Sequence, residues 1–363
     1  MKKNIILLML LATAMVARAF DFSALTTANQ RLYYTITSSS TVSLVAPSDY
    51  DDWEGYDKPT GELTLPSSVT HEGTPYTVTA VDDKAFLDCK RITSLHVPSS
   101  IATIGARAFA NDTSLTEVTI DEGLTSIARM AFSQCKNLAT IHLPATLTSI
   151  GMQAFQGTAY YNNDANWSPV LTLVLDGWLL QTANTVSGDI VISDNIVGIA
   201  NHAFYYCRYL EGVTLPATLR RIGQSAFLEC SQLDSVRLEA TVPPVLDVDA
   251  FVGFQGSVVV PCGTVATYSA ADGWSGMNLV EAACPPPTES VEMAEEMAQV
   301  TVVVNEKGLL VLNAAGETLT VYDLMGRAVA TVASASDRQT IALPKHGIYL
   351  LRHSEGSKTV LYR

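Results

Sequence analysis

Six cysteines and six histidines are the side chains of this 363-residue chain best suited to metal or redox chemistry. Their spacing excludes most of it. Cys89, Cys135, Cys207 and Cys230 each stand three residues after a Phe, and neither a Cys-x-x-Cys pair nor a paired-histidine spacing occurs, so a tetrahedral zinc site has no local framework. His71, His96, His142, His202, His346 and His353 are dispersed. No Gly-x-Ser-x-Gly, His-Glu-x-x-His or phosphate-loop motif is present. Asp49-Tyr-Asp-Asp-Trp-Glu-Gly-Tyr-Asp57 gathers carboxylates without the ordered spacing of a calcium loop and reads as a solvated loop. A chain without catalytic machinery, metal or cofactor is the expectation.

The elements that carry these residues follow from a repeat. Phe86, Phe109, Phe132, Phe155, Phe204, Phe227 and Phe251 are spaced by 23, 23, 23, 49, 23 and 24 residues. Around them runs Ile-Gly-x-x-Ala-Phe-x-x-Cys, then Leu-x-x-Val-x-Leu-Pro. A period in the twenties with that strand pattern predicts a leucine-rich-repeat solenoid, mainly β with short helical turns, over residues 81–256. One coil cannot bury Ile104, Phe109, Leu115, Val118 and Ile120 alone, whereas stacked coils can. Pro98, Pro144 and Pro216 end the strands, because Pro lacks a ladder N–H. The interval near 158–190 is an irregular coil with an Asp176-Gly177 hairpin turn.

The repeat turns scattered residues into surfaces. Adjacent rungs lie about 4.8 Å apart, so Cys89 and Cys135, two rungs apart, are too distant to bridge. The side chains of Cys207 and Cys230 should run parallel, and all four ladder cysteines read as small buried groups. His96 and His142, also two rungs apart, are about 10 Å from each other, too far to share a zinc. The outward strand positions His96, Thr119, His142, Thr214 and Arg237, with Glu117 and Thr140 beside them, form the candidate binding face. About eight rungs would make it roughly 40 Å long, enough for the ~800 Å² per partner of a standard protein interface. Trp53, Tyr160, Tyr161 and Trp167 form a second, aromatic candidate for carbohydrate. They serve equally as packing for irregular segments.

The Ile-Gly-x-x-Ala-Phe-x-x-Cys phrase resembles the BspA-like bacterial surface-antigen leucine-rich repeat proteins, common in Bacteroidetes, over residues 20–284. That resemblance implies a secreted or surface protein that adheres to partners, including host matrix proteins. Residues 257–284, with Val260-Pro-Cys-Gly and Ala-Asp-Gly-Trp274, look like the family's closing coil. Cys262 and Cys284 flank it, and either a bridge or two free thiols fits the sequence. Val321-Tyr-Asp-Leu-Met-Gly-Arg327, Gly347-Ile-Tyr-Leu-Leu and the final Lys358-Thr-Val-Leu-Tyr-Arg resemble the sorting domain of the type IX secretion pathway, which implies export across the outer membrane.

The remaining segments agree with export. Residues 1–19 read as a signal peptide: Lys2 and Lys3, an apolar stretch from Ile5 to Val16, and Ala17-Arg18-Ala19 at the cut. No later run reaches the ~20 apolar residues of a membrane span. Residues 20–80 read as a β cap over the open core, 285–299 as an acidic linker, and 300–363 as a small all-β sandwich of seven strands. Without Lys2, Lys3 and Arg18 the chain has 19 basic against 36 acidic residues, a poor match to nucleic acid. The expected partner is an extracellular protein or glycoprotein, with carbohydrate capture and a structural surface coat as alternatives.

Overall fold

The structure, a computed structural model, describes residues 20–48, 53–284 and 301–362 apart from several turns joining the last strands. The signal peptide, the linker and Asp49–Asp52 lie outside the described residues. The chain divides near residue 286 into two units.

The first unit begins with an antiparallel meander, Phe22–Leu25, Arg31–Ile36 and Thr41–Val45. Its last strand pairs in parallel with Thr74–Val81. From there each coil adds one short strand to this sheet (Thr103–Ile104, Ser126–Ile127, Ser149–Ile150) and a longer one to a second sheet. The second sheet runs Gly61–Thr64, Ile92–Val97, Glu117–Ile120, Thr140–His142, in register at Leu95↔Val118↔Ile141. Strand alternation sends these three inward, where all are buried.

Between the two strands each coil turns a corner at Ala-Phe. The expected helical turns are absent there. The residues two before and two after each Phe adopt left-handed backbone, for example Arg107 (φ 56°) and Asn111 (φ 64°). This conformation aims alternate amides along the stack. Arg107, Phe109 and Asn111 donate to Arg129, Ala131 and Ser133 of the next coil, while Ala108 and Ala110 donate within their own. Backbone groups that a loop would leave exposed are thus paired rung to rung. Among the described residues the only α-helix is Val265–Ser269, in the closing coil.

The phenylalanines form two stacks. Phe86, Phe109, Phe132 and Phe155 lie 5.0, 5.3 and 5.5 Å apart, their ring planes nearly parallel. Phe204, Phe227 and Phe251 follow at 4.6 and 4.8 Å. A buried tryptophan closes the outer end of each. Trp53 packs on Phe86 and donates its Nε1–H to Ala85 O; Trp274 packs on Phe251 and donates to Pro244 O. Each thereby seals apolar ring surface and satisfies its own polar edge.

The 49-residue interval explains the gap between the stacks. Thr172–Leu175 and Trp178–Thr182 form a hairpin through Asp176 (φ 45°) and Gly177 (φ 80°). Its second strand joins one side of the stack at Trp178↔Gly198, where the Trp178 ring fills the space a Cβ on Gly198 would need. On the other side it contributes no strand. The expected continuous face is therefore two sheets: the four strands above, and a second set of five, Ser187–Val191, Tyr209–Leu215, Ser235–Leu238, Ser257–Val260 and Asn278–Glu281. The Asp176 carboxylate accepts the Leu143 N–H at 2.8 Å, terminating the first ladder.

In the closing coil Cys262 and Cys284 are bridged, with Cα atoms 5.0 Å apart. The second unit places its seven described strands in a three-stranded and a four-stranded antiparallel sheet. Leu309, Val311 and Ile341 from one sheet share a core with Leu319, Val321, Tyr349 and Leu351 from the other, which makes it a sandwich.

Candidate binding surfaces

The first four-stranded sheet presents Thr64, His96, Thr119 and His142 in one outward row. The neighbouring outward row holds Ser94, Glu117 and Thr140. All of these are partly or fully exposed, because every other strand residue is committed to the core. His96 Nε2 lies 3.1 Å from an Asp121 carboxylate oxygen of the next coil. Thr214 and Arg237 pair in register, but on the second, five-stranded sheet. The seven ladder candidates are thus split five and two, and Val191 and Val259 extend the row that holds Thr214 and Arg237.

Each aromatic candidate is tied into the fold's own contacts. Trp53 is 2% exposed and serves as the end cap of the Phe stack, so it has no face to offer a sugar. Tyr160 donates its hydroxyl to Val174 O and Trp167 donates its Nε1–H to Tyr161 O. Trp167 also packs edge-on against Tyr161 at 5.6 Å. These four rings hold the cap and the irregular coil together.

The cysteine ladder holds buried thiols at Cys89, Cys135 and Cys207, whereas Cys230, expected to be buried too, is half-buried. Cys135 donates to Phe109 O and Cys230 to Phe204 O, both at 3.0 Å. Burial pushes the Cys89 and Cys135 thiols up, away from nucleophilic thiolate chemistry. In the second coil the same repeat position holds Asp112, completely buried, with neither carboxylate oxygen hydrogen-bonded. Burial pushes its pKa up to about 9, and Asp88 adds to this; the Cys89 backbone amide, which approaches the carboxylate without completing a hydrogen bond, and Lys58 and Lys90 oppose it. Glu281 stands beside the Cys262–Cys284 pair and accepts the Gly263 N–H. With the sulfurs joined to each other, no thiolate remains there for a metal.

One exposed cluster lay outside the sequence candidates. Tyr205, Tyr206, Arg208 and Tyr209 occupy the corner of the first coil after the irregular interval. The signal was available: the other coils hold Leu87, Ala110, Ser133, Gln156, Leu228 and Val252 where this one has Tyr205, and a polar residue or glycine where it has Tyr206, so this coil alone carries aromatics there.

With this geometry in view, known proteins give the following matches. Residues 66–165 and 183–252 match the model for the BspA type leucine rich repeat region, in six copies. Residues 287–360 match DUF6383, a domain of unknown function. Among solved structures, the chain is similar to a leucine-rich repeat protein from Bacteroides capillosus at 30% identity, covering 36% of this chain and 91% of that one, with a TM-score of 0.31. It is also similar to one from Bacteroides ovatus at 20% identity, covering 64% and 83%, with a TM-score of 0.33. A leucine rich cell surface protein from Faecalibacterium prausnitzii matches at 17% identity over 73% and 96%, with a TM-score of 0.27. No curated protein matches. Among the described residues no helix is long and apolar enough to cross a membrane. Six matched copies, coils offset by 23 residues and a strand row that buries Leu95, Val118 and Ile141 identify the repeat region as a BspA-type leucine-rich repeat solenoid.

Proposed function

We propose that this chain is an exported surface protein that adheres to an extracellular protein or glycoprotein through the outward rows of its strand sheets. One observation carries this reading. Inward positions repeat the same apolar chemistry from rung to rung, whereas the outward row changes, with His96, Thr119 and His142 on one sheet and Thr214 and Arg237 on the other. A rigid frame carrying varied exposed polar groups is suited to recognition. The signal-peptide pattern and the resemblance to surface antigens support placement at the cell surface, with host matrix proteins as the partner class.

The second unit supports export. Asp323 and Arg327 close a strand connection within the phrase that resembles the type IX sorting domain: Arg327 donates its backbone N–H and its Nε–H to the Asp323 carboxylate at 3.0 and 2.9 Å. Deleting residues 300–363 should retain the protein inside the outer membrane; unchanged surface accessibility to protease rejects this assignment.

The test of adhesion is binding of the secreted chain to immobilised matrix proteins at physiological salt. His96→Ala with His142→Ala probes the four-stranded sheet, and Arg237→Glu probes the five-stranded one. At least a tenfold loss is expected from one of the two, with the circular dichroism spectrum unchanged. Saturable binding that neither variant weakens removes the strand rows as the site.

A further inference from the structure

Tyr206 has a left-handed backbone (φ 66°) at a position where the other coils place Asp88, Asn111, Gln134, Gly157, Glu229 and Gly253. Each of these is polar or glycine, whereas this coil alone places an aromatic there. The ring is 38% exposed. A large aromatic ring at this exposed corner position distinguishes this coil from the others.

The neighbours of Tyr206 give that corner a chemistry. The Arg208 guanidinium stacks on its ring at 3.7 Å from the centroid. Its only ion-pair partner among the described residues, Glu229, is 3.9 Å away, beyond hydrogen-bonding distance. The planar donor fork is therefore oriented by stacking yet has its hydrogen-bonding edge open. Tyr205, 46% exposed, sits 5.7 Å from Tyr206, tilted by 45°, and its ring meets His202 edge-on. His202 Nδ1 is buried without a partner. Tyr209, 59% exposed, follows Arg208 at the start of the next strand.

We propose that this corner binds an acidic saccharide, a sugar ring that carries a carboxylate or sulfate group. The exposed ring of Tyr205 is suited to the C–H side of a sugar, and the Arg208 fork matches a planar or tetrahedral anion. The cluster spans one coil corner, a footprint suited to one or two sugar rings and far below the ~800 Å² of a protein interface. The site is separate from the strand rows, so it stands or falls independently of the adhesion reading.

The probes are 3′-sialyllactose, 3′-sulfolactose and lactose, titrated into the full secreted chain and read by calorimetry and ligand-observed NMR. At least one acidic sugar should bind at least tenfold more tightly than lactose, and the two arms identify which anion is preferred. Tyr206→Asn installs the residue of the second coil and so preserves folding. It and Arg208→Gln should each weaken binding at least tenfold, while Arg91→Gln, at an exposed residue of the first coil, leaves it unchanged. Equal affinity for lactose, no saturable binding, or indifference to both corner variants overturns the proposal. A hexaglutamate peptide that binds as tightly with the same variant dependence overturns the saccharide assignment in favour of an acidic protein segment.

Discussion

Replacing Asp112 with cysteine should make the protein more stable, and the gain should depend on pH in a calculable way. Asp112 fills the ladder position that holds Cys89, Cys135, Cys207 and Cys230 in four other coils, and its carboxyl group is buried without a hydrogen bond. Its pKa rises from 3.8 to about 9, chiefly through burial. At pH 7 the folded chain keeps this proton and the unfolded chain has released it. The native state thus binds more protons, and stability falls as pH rises from about 4 to about 9. Each pH unit is worth about 1.4 kcal/mol, so the penalty at pH 7 is roughly 4 kcal/mol relative to a side chain neutral in both states. Asp112→Cys removes it, and the thiol at this position in the next coil, Cys135, shows the packing to be compatible. Urea unfolding of the variant and the parent at pH 5, 7 and 9, followed by fluorescence of the buried Trp53 and Trp274, reads the difference. It should grow with pH, from near 2 kcal/mol at pH 5 by the same estimate. A difference that stays constant across this range would falsify the argument, because only a proton held in the fold produces the slope.

Three further outcomes follow from packing. Gly123→Ala should cost at least 1–3 kcal/mol, read as a lower melting temperature, since a Cβ there would lie 2.2 Å from Ser99 O and the backbone has φ 132°. Trp53→Ala should cost about 3–5 kcal/mol, because it opens the end of the Phe stack; a melting temperature equal to the parent's would show that the cap is dispensable. Cys262→Ser with Cys284→Ser should cost about 3 kcal/mol for the 22-residue separation the bridge closes, and dithiothreitol should lower the parent's stability by a similar amount while leaving the variant unaffected.

What could be read from the residues, and what could not, divides along a physical line. Inward positions repeat because each coil must present the same apolar set to its neighbours, so Phe109, Leu115 and Val118 announce the solenoid from spacing alone. The corner conformation was less accessible. An Ala-Phe pair with regular apolar spacing fits a helical turn equally well, and only the amides that bond from coil to coil select left-handed residues at Arg107 and Asn111. The extent of the binding face depended on a hairpin that joins one side of the stack and leaves the other open, a long-range consequence of Trp178 seating against Gly198. Trp53 misled for a related reason. It stands in an irregular segment, where composition cannot separate a ligand platform from a plug, and the end of the Phe stack needed a plug. The repeat itself supplies the better test. A residue that departs from its ladder position toward the core, as Asp112 does, costs stability, whereas one that departs toward solvent, as Tyr206 does, changes the surface. In a solenoid the core is shared by all coils and the surface is particular to each, so departures at outward positions are where specificity should be sought first.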